Sequence, residues 1–237
     1  ALSSVFAPLG TLMVKSGIRK EEIVEADLRN VTPEETAGLI GSRHGGILFT
    51  YHDLNGIVNG HRVRLNPEEV SDGGKYMQKG GTLLTAYFLK SSIPAIFNPK
   101  KRIYIVEGEK GVLALISALK VQGMWDEHCA VIAIPGCWNY KEKEIDALAG
   151  ALAEIPWTDR DVCFLPDSDF FVNRKVHIAG KSLMRLLCKE GSTVHLVDLR
   201  IDDNTEDKVG CDDFLARSGL SSLLERCSKP LMTFSYR

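Results

Sequence analysis

The sequence has no pair of cysteines at C-x-x-C spacing, although six cysteines are scattered through its 237 residues. That absence excludes a zinc ribbon and a thioredoxin-like redox motif, whose chemistry needs two thiols held close together. Cys129, Cys137, Cys163, Cys188, Cys211 and Cys227 are therefore expected to be reduced thiols of a cytoplasmic protein, several inside apolar segments such as residues 162–165. No apolar run approaches the roughly 20 residues of a membrane span. The opening stretch ALSSVFAPLGTLMVKSG has a short apolar run without a basic region before it, so it does not read as a signal peptide. Neither sign of charge dominates: 29 basic residues face 31 acidic ones, for a formal net charge of −2. A protein gripping duplex DNA by global charge would be strongly basic, so any nucleic-acid site here must be a local patch or must borrow charge from metal ions. Internal repeats and low-complexity tracts are absent. Gly180-Lys181-Ser182 invites a phosphate-loop reading, but that motif needs a glycine at position 175, where Lys175 stands, and Lys181 lies inside a helical pattern. The six histidines show no metal-ligand spacing.

What is present is enough apolar material, 44% of the chain, to build one large domain or two small ones. The first part predicts short helices over 21–29 and 33–40, the latter with Thr32 and Glu35 as a capping box and Pro33 at the first helical position. Residues 47–51 and 57–65 read as strands joined at Asn55-Gly56, a strong hairpin signal. In the second strand Arg62 and Arg64 fall on one face. A glycine-rich stretch, DGGKYMQKGG, follows, and residues 92–101, with two prolines and two lysines, read as a linker. From Arg102 the pattern changes. Strands are predicted over 102–106, 130–134, 161–165 and 193–199, alternating with helices over 110–122, 141–152 and 176–190, and Gly210 begins a last pair of short helices. The expected fold is α/β: a mainly parallel four-stranded sheet flanked by helices (residues 99–237), preceded by a smaller α+β subdomain with a basic hairpin (residues 1–98).

In such sheets functional residues gather beyond the carboxyl ends of the strands. The first of these strands ends at Glu107, and the third is followed by Asp167 and Asp169. If those strands are neighbours, three carboxylates meet at one edge, an all-oxygen ligand set suited to Mg2+ or Mn2+ and to phosphoryl transfer. Each motif taken alone also fits a turn former or a helix cap.

Tyr104-Ile105-Val106-Glu107-Gly108 resembles the first motif of the toprim family, and Asp167-Ser168-Asp169 resembles its Asp-x-Asp motif, with Ile134-Pro135-Gly136 similar to the glycine element between them. Upstream, the order of the segments around residues 46–56, 62–65 and 74–77 is similar to the basic subdomain of bacterial-type primases. Downstream, residues 208–216 resemble the ending of a toprim-like family of unknown function in phage and plasmid replication proteins, which often carry a helicase domain. The resemblance spans about residues 15–218. It implies a Rossmann-like toprim fold, metal held by Glu107, Asp167 and Asp169, and primer synthesis on a single-stranded DNA template from nucleotides, with a replicative helicase domain as a partner. A toprim nuclease and a non-catalytic nucleic-acid or helicase-binding module are the alternatives. Three departures stand out: Gly111 takes the place of a second acid, Phe170 and Phe171 follow Asp-x-Asp where small residues are usual, and no zinc-ribbon template reader is present.

Other candidates join this set. Arg62, Arg64, Lys75 and Lys79 suit phosphates and Tyr76 suits stacking on a base, against the alternative of a solvated hairpin face. Lys110, behind Glu107, is a candidate phosphate contact, against the alternative of a plain surface lysine, and Lys175 and Lys181 are candidates to face the metal site from the helix after Asp169, Lys181 as a nucleotide contact. Asp212 and Asp213 read first as a helix cap, with Asp212 as an outer carboxylate of the metal site the alternative. Trp138 and Tyr140 line the cleft or pack the next helix. The ending SKPLMTFSYR has no clear stop, so the chain is expected to be part of a longer protein.

Overall fold

The computed structural model describes residues 7–70, 74–125, 129–201 and 208–235; Asp72 and Gly73 of the glycine-rich stretch and one of the six histidines, His128, lie outside them. Helices α1 (Ala7–Ser16) and α2 (Lys20–Glu25) come first. The helix expected over 21–29 stops early because Asp27 adopts a left-handed φ of 49°, and Arg29–Val31 becomes strand β1 instead. It pairs antiparallel with β2 (Gly46–His52), Arg29 opposite Leu48. Helix α3 (Pro33–Ile40) starts at the predicted capping box: the Glu35 N–H donates to Thr32 Oγ1, and the Thr32 N–H donates to Glu35 Oε2. The hairpin from β2 to β3 (Val58–Leu65) turns at Asn55-Gly56, where Asp53 Oδ1 accepts from the N–H groups of Asn55 and Ile57 and Gly56 has φ 77°. Strand β4 (Tyr76–Gln78) completes an antiparallel sheet in the order β1-β2-β3-β4.

Residues 92–101 are more than a linker. They contain helix α4 (Ile93–Phe97), and the fully buried Arg160 gathers the carbonyls of Ala95, Ile96, Asn98 and Lys101 on its guanidinium, with Pro156 O on Nε. A planar fork of five donors suits such a cluster of acceptors. Then follow β5 (Arg102–Glu107), α5 (Glu109–Val121), β6 (Cys129–Ile134), α6 (Ala151–Glu154), β7 (Asp161–Leu165), α7 (Arg174–Lys189), β8 (Thr193–Leu196), α8 (Cys211–Ser228) and β9 (Met232–Phe234). They form a mostly parallel five-stranded sheet, β6-β5-β7-β8-β9, in which β9 runs antiparallel to β8. The edge strand β9 is one more than the four expected. Helix α8 bends at Gly219 (φ 75°), in keeping with a pair of short helices.

The helix expected over 141–152 reduces to α6. Lys141 pairs with Leu148 in an isolated bridge, Gly150 sits at φ 52°, and Asp146 is held by Lys141 and Arg185. Local ion pairs and a glycine with positive φ displace a helix whose apolar stripe was weak, with Ile145 left exposed.

Side-chain alternation along the central strands divides the interior. Tyr104, Val106, Cys163 and Leu165 face one core with α5, α8 and the β2 residues Ile47, Phe49 and Tyr51. Ile103, Ile105, Val162 and Phe164 face the other with α7. The antiparallel sheet therefore packs on the parallel sheet's side of α5, and its outer face closes over Val63 and Leu65 with Ile40 of α3.

Candidate metal centre and nucleic-acid groove

Strands β5 and β7 are direct parallel neighbours, Val106 opposite Leu165, so the condition set by the sequence is met. Glu107 ends β5, and Asp167 and Asp169 follow β7 by two and four residues. One oxygen from each of the three carboxylates lies within 4.8 Å of the others. Asp167 Oδ1 and Asp169 Oδ1 are buried without a hydrogen-bond partner among the described residues. Buried acceptors left unpaired are costly unless a cation completes them, and carboxylate oxygens suit a hard divalent ion. The residues present thus fit Mg2+ or Mn2+.

The electrostatics agree with crowded acids. Burial, and next the charge of Asp167, push the Glu107 carboxyl up to about 8, while Lys208 pulls it back. Asp167 is raised to about 6, chiefly by burial and against the pull of Lys208. The Lys208 Nζ stands 2.9 Å from Asp167 Oδ2, 3.1 Å from Asp169 Oδ2 and 3.7 Å from Glu107 Oε2. Lys208 was not among the sequence candidates. The only available signal was its place at the head of the Lys-Val-Gly-Cys-Asp-Asp segment. Its backbone neighbour Val209 is stitched to Ser168, between the two aspartates, by N–H to Oγ at 2.8 Å and by Ser168 N–H to carbonyl at 2.9 Å.

Two departures from the primase pattern acquire structural reasons. A Cβ on Gly111 would come within 3.2 Å of Val106 Cγ2 and 3.4 Å of Cys211 Cβ, so a side chain there would have to push its β5 and α8 neighbours aside by a few tenths of an ångström. Phe170 is buried against Gly180, where a Cβ would come 2.5 Å from its ring. Gly180 is thus a packing glycine of α7.

A cavity of about 350 Å3 opens from the acidic cluster, lined by Arg62, Arg64, Lys75, Tyr76, Lys110 and Lys208. A second, of about 720 Å3, shares Arg64, Lys75, Lys110 and Asp213 with it and reaches Lys15, so the two form one groove, in which Glu109, Asp212, Asp213 and Glu68 stand among the bases. Within it Arg62 donates to the buried Glu109 at 2.9 Å, and Tyr51 donates to the same oxygen. The Arg62 guanidinium lies 4.5 Å from the Tyr76 ring centroid and Arg64 lies 5.7 Å away, with Arg64 Nη1 donating to the Tyr76 hydroxyl at 3.3 Å. Burial raises the Tyr76 phenol to about 12. Arg62 and Tyr76 are thus built into the groove wall. Lys110 donates to Asp212 Oδ2 at 2.6 Å, and Ser16 donates to the same oxygen. Of the paired aspartates, Asp213 caps α8 by accepting from the Gly210 N–H, while Asp212 turns to Lys110. Lys181 is exposed on α7, and Lys79 is exposed beyond β4; neither lines either cavity. Trp138 is exposed and stacks on Tyr140, which is buried and donates to the Ala179 carbonyl.

Comparison with known proteins follows the same lines. A family model described as a domain of unknown function (DUF3854) matches residues 95–222, more than half of the chain. The fold matches that of the Aquifex aeolicus primase, zinc-binding and RNA polymerase domains, at a TM-score of 0.61 and 17% identity over 95% of this chain and 56% of that one. It also matches the DnaG catalytic core (TM-score 0.65, 15% identity, 95% of this chain and 74% of that one). The DnaG primase catalytic domain bound to single-stranded DNA matches as well (TM-score 0.63, 15% identity, again 95% and 74%). These likenesses establish the toprim-containing primase-core fold. This chain spans little more than half of the Aquifex protein. No curated protein matches by sequence.

Proposed function

The chain belongs to the DUF3854 family, and we propose that it is a metal-dependent, primase-like nucleotidyltransferase acting in the replication of a mobile element. One observation carries this reading: Glu107, Asp167 and Asp169 converge at the carboxyl ends of adjacent strands in a primase-core fold, with two buried oxygens unpartnered among the described residues and a groove holding Arg64 and Lys75 leading away. The three carboxylates would hold Mg2+ or Mn2+, which supplies charge neutralisation and orientation of phosphate oxygens when bound.

The protein's own groups do the rest. Arg64 and Lys75 draw phosphates of a single-stranded template or a nucleotide into the groove. Arg62, fixed by Glu109, stiffens the wall and keeps its charge near the entrance. Lys110, behind Glu107, adds positive potential while neutralising Asp212. The likeness of residues 208–216 to mobile-element replication proteins supports a replicative helicase domain as partner and a cytoplasmic setting. No helix among the described residues is long and apolar enough to cross a membrane.

The test is a gel assay with single-stranded DNA, labelled nucleotides and Mg2+ or Mn2+, run beside an Asp167→Asn, Asp169→Asn double variant. New labelled product with the unaltered chain only is the expected result. Shortened input DNA would assign the same carboxylates to a nuclease. No change with either protein would leave a nucleic-acid-binding module.

A further inference from the structure

Two-metal phosphoryl-transfer sites seat two divalent ions about 3.5–4 Å apart, sharing carboxylates between them. In this cluster one side is already taken by a cation of the chain. Lys208 Nζ contacts an oxygen of each carboxylate, at 2.9, 3.1 and 3.7 Å, while the opposite oxygens Asp167 Oδ1 and Asp169 Oδ1 have no partner among the described residues. The nearby carboxylate that would extend the ligand set, Asp212, is held by Lys110 at 2.6 Å and Ser16 at 2.8 Å. Asp213 is turned away to the Gly210 N–H. The Val209–Ser168 pair of hydrogen bonds anchors the backbone next to Lys208 beside the aspartates, and its half-exposed side chain reaches them from there.

We infer that this is a one-metal site in which Lys208 serves as a resident second cation, the unpartnered aspartate oxygens being the seat of a single divalent ion. The inference rests on the metal reading of the cluster. Once a bound ion has displaced the proton that burial holds on Glu107, three carboxylates against one ammonium group leave two formal negative charges, the complement of one divalent ion. A lysine is a compact point charge, able to neutralise carboxylates or a phosphate without open coordination positions. The consequence is a centre that binds one ion tightly and resists a second.

The test counts bound Mn2+ by equilibrium dialysis and electron paramagnetic resonance on the whole chain, unaltered and as Lys208→Gln, Lys208→Met and Lys208→Arg. The unaltered chain and Lys208→Arg should hold one strong ion. Lys208→Gln and Lys208→Met should gain a second, its affinity rising about tenfold or more on loss of a charge at contact distance, with spin–spin broadening from the ion pair. Two ions of similar affinity in the unaltered chain, or a single ion in both neutral variants, would overturn the inference and leave the metal reading standing. No ion in any protein would remove the metal reading, and the inference with it.

Discussion

Glu107 shows how a strand end converts position into chemistry. As the last residue of β5 it is carried into a half-closed space already occupied by Asp167, and burial holds its proton to about pH 8. A carboxyl whose pKa is higher folded than unfolded makes the native state bind more protons. Its contribution to stability is therefore complete below the ordinary value of 4.5 and is lost as pH rises through about 8. In a chelator, the unaltered chain should lose about 4 kcal/mol more stability than Glu107→Gln between roughly pH 5 and pH 9, read from urea midpoints at each pH. Parallel pH dependence in the two proteins would show that Glu107 does not feel its neighbours. The residue types at this site were legible beforehand: Glu107, Asp167 and Asp169 lie at strand ends whatever the packing. Lys208 was not, because its contact with the acids runs through a loop about forty residues further along the chain, and no local pattern encodes such a contact. The same holds for Asp212 and Asp213, adjacent in sequence but divided by the helix turn into a groove residue and a cap.

At the scale of elements, the reliable signals were those closed within a few residues. The Thr32–Glu35 capping box, the Asn55-Gly56 hairpin and the apolar strands formed where predicted, except that the strand expected over 193–199 ends at Leu196. Failures came where distant groups intervened. The segment after Ser92 reads as a linker because nothing nearby buries it; it becomes α4 and an ordered turn because Arg160 reaches its carbonyls from 59 to 65 residues away. Replacing Arg160 with Met should destabilise the fold by about 3–4 kcal/mol, by leaving several buried carbonyls without donors. Lys should recover little of this, since an ammonium group cannot match the planar fork. Urea unfolding gives the stability, and hydrogen exchange over residues 93–101 should rise in step. A loss below about 1 kcal/mol would mean the carbonyls find other partners. The 141–152 region failed for a related reason, its ion pairs to Lys141 and Arg185 competing with the helix.

On the scale of the whole molecule, the two sheets and the core they share set the groove. Packing β2 onto the α5 side of the parallel sheet brings the Arg64 and Lys75 edge over the carboxyl ends of β5 and β7. A chain with net charge −2 thereby presents Arg64 and Lys75 beside an acidic centre. An Arg64→Ala, Lys75→Ala double variant should bind single-stranded DNA more weakly, whatever its sequence. Its log–log salt slope, by fluorescence anisotropy between about 50 and 200 mM salt, should fall by about 1.4, or 0.7 per lost phosphate contact. Mn2+ binding should be unaffected. An unchanged slope would place the strand elsewhere.

By itself the sequence determined the alternation of strands and helices, the acids at their ends, the glycines and the caps, because each follows from periodicities and hydrogen bonds that close over a few residues. Only the tertiary structure decided that β5 and β7 are neighbours, that β9 adds an edge, that Lys208 enters the acidic cluster, and that Arg62 and Tyr76 join the groove wall. Strand order and loop contacts bring together residues far apart in the chain, and their energies depend on burial and shared packing that no local pattern records.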